Sequence, residues 1–530
     1  MSRLIGPPPS AIWSSFARHQ ARCRSSDWRG GIFCAASVLV ALPRSSRPSW
    51  QLPGRGLPLV PTSGLMVFRC STRGSAQKTG KAGLWRLGPV ASSRPASFFC
   101  TRNSEAPMTP AISARFPKPV SLALRGRSSP LPLSARHDLR PFLRWIHVRS
   151  AVLVSAACLV GGTAWSGQLL VLPVVMLFPA LWAAAPCRAV SAAVSAGYFL
   201  AASRGLPQGA AEFFGSSVSV GFLLWIAASL PFVLVHSMAW TARKGWRRVG
   251  RYGIAMVLTA VPPFSITGWA HPITAAGVLL SGWGWWGLMA MALGLCLMTT
   301  RLAPAIVLSA GVITGITAAS GSGSPASGGW LGIDTAVGAA FGRTDALHQQ
   351  QSLIVQVQKE AEGGSQVIVL PESAVGILTP TAERLWGEAL ANLDITVIAG
   401  AVLINTQGYD TVMVALDRAG AKVLYRQRMP VPVAMWQPWR PWLGLTGGSR
   451  AKLFGAPVVE VAGQRIAPLI CYEQLLVWPV LQSAFHHPDR IVAIANGWWA
   501  KDTSIPAIQR VSVEAWARLF DLPLVTAFNR

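Results

Sequence analysis

The chain has 530 residues, with 47 Lys+Arg against 20 Asp+Glu, 51% apolar content and only 13% charged residues. So low a charged fraction, against roughly 25% in an ordinary soluble chain, excludes one large soluble enzyme and points to lipid-embedded or unfolded segments. Nor does the charge make a nucleic-acid binder, because residues 1–150 hold 23 Lys+Arg and 3 Asp+Glu, most of the +27 total.

Residues 1–140 are rich in Arg, Ser, Pro and Gly and carry no sustained helical or strand period. Their apolar run at 31–42 is too short to span a bilayer, and no signal-peptide cleavage pattern accompanies it. Two readings stay open: a disordered basic arm, or upstream sequence ahead of a start at Met66 or Met108. No function is assigned to it.

The composition changes at residue 149. Apolar runs cover 149–166, 168–186, 189–203, 213–237, 252–270, 273–299 and 302–320 with almost no charge. They predict a helical membrane bundle of about seven spans over 149–320, since roughly 20 apolar residues cross the hydrocarbon core and soluble helices need a polar face. Arg140, Arg144, Arg149, Arg188, Arg243, Lys244, Arg247, Arg248, Arg251 and Arg301 fall on one side if the first helix runs outward; Arg204 alone falls opposite. The positive-inside rule then places the N-terminus in the cytoplasm and the chain after 320 outside.

Residues 321–329 (GSGSPASGG) read as a flexible linker. Past it, strand-like runs at 366–370, 396–403, 411–416, 423–427, 465–470, 490–495 and 522–527 alternate with helical periods at 344–361, 380–391, 474–485 and 505–519. That alternation predicts an α/β domain over 330–530. Its single cysteine, Cys471, excludes an internal disulfide there, no Cys/His spacing suggests a metal, and no cofactor is expected.

Three segments of this domain can carry chemistry. In VLPES, a buried strand stopped by Pro371 delivers Glu372 to its C-terminal edge, where α/β sheets place ligands and burial raises a carboxylate toward a general base; the alternative is a loop or capping Glu. In PLICYE, a strand delivers Cys471, with Glu473 two residues on. A thiol attacks acyl carbons once a base takes its proton, although a small core residue is the plainer alternative. In VLYRQRMPVP, a strand runs into a Pro-rich loop with Arg426 and Arg428, suited to an oxyanion, to anionic headgroups or to a solvated edge. Trp436, Trp439 and Trp442, interleaved with Arg440, suit a membrane-interface belt or a lipid-chain pocket, and Trp498-Trp499 the same cleft. His486-His487 reads as solvated surface rather than metal.

PES after an apolar strand, Tyr425 leading to Val431-Pro432, and ICYE at 470–473 together resemble the nitrilase (carbon–nitrogen hydrolase) superfamily with its Glu–Lys–Cys triad. A helix bundle followed by such a domain is similar to apolipoprotein N-acyltransferase. MPVPVAMWQPW, ICYEQLLVWPVLQS, NGWWAKDTSI and AWARLFDLPLV resemble the TraB-type conjugal transfer proteins of rhizobial plasmids. The resemblance covers about 140–530 and says nothing of residues before that.

It implies a polytopic membrane bundle joined to an αββα sandwich, with Glu372 as general base, Cys471 as nucleophile, Glu473 as the carboxylate after the nucleophile and Asn496 as a substrate-side residue. The substrate-binding set expected with Asn496 is Trp436, Trp439 and Trp498. The chain departs from the pattern where it matters: Gln427 stands at the triad lysine position, Ala434-Met435 at a Gly-Glu pair, and Asn496-Gly497 at Asn-Asp. Neighbours on a strand point to opposite faces, so Arg428 can replace the lysine only through a bulge. The family's last helix is not found before Arg530, from branch or truncation.

Two functions follow. One is acyl transfer or amidase-like thioester chemistry at the periplasmic face of a bacterial inner membrane, on a lipid or lipoprotein. The other is a catalytically degenerate membrane scaffold assisting conjugation. The implied partners are membrane lipid or lipoprotein and the conjugal transfer machinery, with no direct nucleic-acid contact; an amidase for soluble substrates gives no reason for the membrane helices.

Overall fold

The computed structural model describes residues 139–319, 328–337 and 343–530. The expected basic arm, its two alternative starts and linker residues 321–327 lie outside the described residues.

Two sheets build the C-terminal half. The first holds β1 (Trp330–Gly332), β2 (Val367–Val369), β3 (Gly376–Ile377), β4 (Thr396–Asn405), β5 (Gly408–Asp417) and β6 (Gly420–Arg426), ordered β1-β2-β4-β5-β6 with β3 beside β4. The second holds β7 (Val459–Val461), β8 (Gln464–Ile470), β9 (Arg490–Asn496) and β10 (Leu524–Asn529), ordered β10-β9-β8-β7. Strands β8, β9 and β10 run parallel, so their C-terminal ends share one edge.

Alternation at period two sorts the side chains into layers. Val367, Val369, Ile398 and Met413 of the first sheet meet Ile466, Ile470, Val492 and Ile494 of the second. Their alternates Ile368, Val397 and Val412 pack under α10 (Arg343–Glu362) and α11 (Pro380–Leu390). On the far side of the second sheet, Ala467, Leu469, Ile491 and Ala493 pack with α12 (Val477–Ala484) and α13 (Ile505–Phe520). The order helix, sheet, sheet, helix is the expected sandwich. Every strand and helix predicted past residue 330 is present; the short β1, β3 and β7 fell below what periodicity detects.

The N-terminal half is α1 (Leu139–Ala164), α2 (Leu177–Ala184), α3 (Arg188–Ala202), α4 (Leu206–Phe214), α5 (Val218–Ala239), α6 (Trp246–Ala260), α7 (Ala276–Leu279), α8 (Gly284–Leu297) and α9 (Ala303–Ala319). The seven apolar runs do not become seven long helices. Within 168–186, Leu169–Met176 is a 3-10 turn containing Pro173, which offers no backbone N–H. Helix α6 stops at Ala260, ahead of Pro262-Pro263, and the 273–299 run is cut by Gly282 and Gly284 at positive φ (77° and 52°).

Two described helical segments are long and apolar enough to cross a membrane, His147–Ala164 and Val218–Ala239. Along α5, Leu223, Ile226, Leu230 and Leu234 form an exposed stripe, and α9 exposes Leu308, Val312 and Ile316. The helical region docks on the sandwich through α13. A Cβ at Gly277 would lie 1.7 Å from the Ala515 carbonyl oxygen, so only glycine lets α7 approach that backbone. Trp516 and Leu519 of α13 join one core with Phe178, Trp182 and Leu295.

Candidate active site

Strand β2 ends at Val369; Leu370 and Pro371 follow, and Glu372 lies in a turn closed by Ser373 at φ 64°. That turn lies directly on β4: a Cβ at Gly400 would come within 2.4 Å of the Glu372 Cα, so glycine makes room for the carboxylate. Strand β8 ends at Ile470 and delivers Cys471 at φ 49°, a strained conformation for a non-glycine residue, into the 3-10 turn Cys471–Leu475. Both side chains are buried, Glu372 at 6% and Cys471 at 5% exposure.

The two strand ends meet. The Cys471 thiol donates to the Glu372 carboxylate, and the Asn496 backbone N–H donates to Glu372 Oε2 at 3.1 Å. Burial pushes the Glu372 carboxyl up to about 7, against the two hydrogen bonds that lower it. Burial and the Glu372 charge push the Cys471 thiol well above its ordinary range. The resting pair is therefore a thiol beside a carboxylate half-ionised near neutrality, an acceptor in contact with the proton it would remove.

Glu473 is held behind Cys471, among donors of the β6 and β8 ends. Its Oε1 accepts from Tyr425 OH at 2.8 Å and from the Arg428 and Met429 N–H groups at 2.5 and 3.1 Å; its Oε2 accepts from the Ile470 N–H at 2.8 Å. Four donors hold it, and they hold the β8 end in turn.

The triad-lysine position is filled differently. Gln427 is 1% exposed, its Nε2 donates to the Ile470 carbonyl at 3.1 Å, and its Oε1 has no partner. The bulge route to a cation is corrected as well. A register shift does lie between Met413 and Val414 opposite β6. The fully buried Arg428 nevertheless spends its guanidinium on Tyr425 OH, the Pro479 and Pro468 carbonyls, Gln482 Oε1 and Ser483 Oγ. Arg426 pairs with Asp410, as does Arg450 at 2.6 Å.

The donor that reaches sulfur was not anticipated. Gln509 of α13, 3% exposed, directs Nε2 at Cys471 Sγ from 3.7 Å. The available signal was one amide in the stripe Ile505, Gln509, Ser512, Trp516, Leu519, spaced four, three, four and three.

Of the expected substrate-side residues, Asn496 is half-buried at the end of β9, its Oδ1 accepting from Asn529 Nδ2 at 2.9 Å. Trp436 packs beside Met429, Leu476 and Trp478 together with Tyr472 and with Ile266 of the helical region. Trp439 is 37% exposed, and Trp498 is half-buried in the turn after β9. Its neighbour Trp499 makes the recorded contacts, donating to the Asn496 carbonyl at 3.1 Å and meeting Phe213 of α4 edge-on. His486 and His487 are exposed.

The carbon-nitrogen hydrolase family matches residues 200–518. A probable conjugal transfer protein TraB of Sinorhizobium fredii is 52% identical over 73% of this chain and all of its own length. A conjugal transfer protein TraB of Agrobacterium fabrum is 49% identical over 79% of this chain and 99% of its own. Among solved structures, an amidase of the nitrilase superfamily from Nesterenkonia aligns with 38% of this chain and 74% of its own at 16% identity and a TM-score of 0.28.

Proposed function

Because the chain belongs to the carbon-nitrogen hydrolase family, in its TraB-type conjugal transfer branch, we propose that it is a membrane-anchored acyl-transfer enzyme serving conjugation. The observation that carries the chemistry is the buried Glu372–Cys471 contact at the meeting of two strand ends. Glu372 takes the thiol proton as Sγ bonds the acyl carbon of an ester, and the carbonyl electron pair moves onto oxygen. Collapse breaks the ester C–O bond, and the leaving alkoxide takes the proton back from Glu372. An amine then attacks the thioester, Glu372 accepts the amine proton, the C–S bond breaks, and the thiolate is reprotonated.

Membrane attachment at residues 149–320 is supported by the two long apolar segments and by the exposed stripe on α5. The basic residues in the first half of α1 (Arg140, Arg144, Arg149) and around the start of α6 (Arg243, Lys244, Arg247, Arg248, Arg251) favour a cytoplasmic N-terminus and a periplasmic sandwich over 330–530. On this arrangement the substrate is a lipid or lipoprotein, and the half-buried Trp436, in one apolar cluster with Cys471's neighbour Tyr472 and with Ile266, lies on the acyl chain's route.

The test is the intact mass of protein purified from membranes, with and without neutral hydroxylamine, which cleaves thioesters. An acyl-sized mass that hydroxylamine removes and that Cys471→Ala lacks is the expected result. The second reading, a catalytically silent scaffold, is favoured by the lack of any recorded cation contact to Sγ among the described residues. It requires a bare mass and a conjugation frequency unchanged in Cys471→Ala.

A further inference from the structure

We infer that Gln509 is a catalytic donor to the nucleophile: its side-chain N–H holds the sulfur of Cys471 as charge develops there, in the place of a cation. The inference rests on the acyl-transfer reading of the same site and adds a residue to it.

A buried primary amide is destabilising unless its polar atoms are satisfied. Helix α13 places this amide on a face otherwise filled by Ile505, Trp516 and Leu519, and the partner it gives Nε2 is a thiol sulfur at 3.7 Å. A neutral thiol is a weak acceptor, so as a structural bond this is poor. Once Glu372 has taken the proton, the same contact is charge-assisted and roughly twice as strong. An interaction that strengthens as the reaction proceeds is one that accelerates it. The Asn496 N–H also faces the thiolate, so the sulfur meets one backbone and one side-chain donor. After Sγ has bonded to the acyl carbon the bond to Gln509 weakens, and it returns when the amine expels the thiolate.

Among the described residues, no other side chain donates an N–H to Sγ. Gln427 donates to the Ile470 carbonyl, and Arg428 is bound behind Glu473 and Ser483. The helix carrying Gln509 is also the one that α7 grips at Gly277.

The titration of Cys471 tests this without any substrate. Full-length protein with the other seven cysteines replaced is labelled with methyl methanethiosulfonate across pH 6 to 11, and its melting temperature is recorded. The charged and titratable groups around the sulfur are Glu372 in front, Tyr409 beside Glu372, and Glu473 with Tyr425 and Arg428 behind. Gln509→Met, similar in length and without a donor, is expected to slow labelling about tenfold at fixed pH and to shift the profile upward by about one unit. Gln509→Lys is expected to shift it downward, so the inference survives a Met variant that fails to fold. Profiles within twofold of the parent in both variants, with Glu372→Gln still lowering the titration, would overturn the role of Gln509 and leave acyl transfer standing. A profile insensitive to Glu372→Gln as well removes the coupled pair, and with it the proposed function.

Discussion

Two strand ends in this domain carry buried carboxylates in opposite surroundings. Glu473, after β8, accepts from four donors and shares Tyr425 OH with the buried Arg428. Glu372, after β2, has one backbone N–H and a thiol. Both are lifted by burial, but only Glu473 has a cation and a full set of donors working against that lift. A saturated carboxylate is a fixture. A starved one exchanges protons near neutrality, which is what a base requires.

The comparison is broken most violently at Glu473. Glu473→Ala removes four acceptor contacts at once and leaves Arg428 charged and buried. The expected destabilisation is about 3–5 kcal/mol, the range for breaking one partner of a buried charged network. Urea melts of the full chain in detergent check it. A loss below about 1 kcal/mol would mean that Glu473 does not hold the β8 end.

At Glu372 the same comparison predicts the opposite sign. Burial pushes its folded carboxyl up to about 7 from an ordinary 4.5, so ionisation is disfavoured in the folded state. A raised folded value contributes stability below pH 4.5 that is lost as pH rises through about 7. Glu372→Gln is therefore expected to match the parent near pH 4 and to exceed it by about 1–3 kcal/mol at pH 8. Thioester formation should fall by at least about a hundredfold in that variant, and in the parent should rise with pH through about 7. Melting curves at the two pH values, beside acylation rates, separate the outcomes; a variant no more stable at pH 8 sinks the account of Glu372 as a starved carboxylate.

Much of this site was legible because strands announce themselves at period two and Pro371 and Cys471 punctuate their ends. PES and ICYE thus single out Glu372 and Cys471, whose side chains the fold brings together. What sequence could not supply was direction. Arg428 lies one residue past Gln427, yet its guanidinium turns to Ser483 and Gln482, 55 and 54 residues away. Gln509 sits 38 residues from Cys471 on a helix whose apolar spacing reads as plain core. In the helical half, hydropathy marked every apolar segment and missed the interruptions. Pro173, Pro262 and Gly282 leave a run almost as apolar as before while changing its backbone.

The mildest intervention sharpens the comparison from the other side. Gln427 donates to the carbonyl just before the nucleophile and leaves Oε1 without a partner. Gln427→Lys puts an ammonium where the amide now sits. It can keep the bond to the Ile470 carbonyl and adds a positive charge beside the residue that precedes Cys471. That charge favours the ionised carboxylate and the thiolate together. Since burying a lysine opposes the gain, the net effect on acylation should be modest, on the order of tenfold, with the lower limb of the pH profile moved below 7. Single-turnover acylation across pH 5 to 9 measures both. If the rate and the limb stay where they are in Gln427→Lys, then the charge near Cys471 is not what limits the reaction, and the two neutral amides at 427 and 509 suffice for the chemistry this site performs.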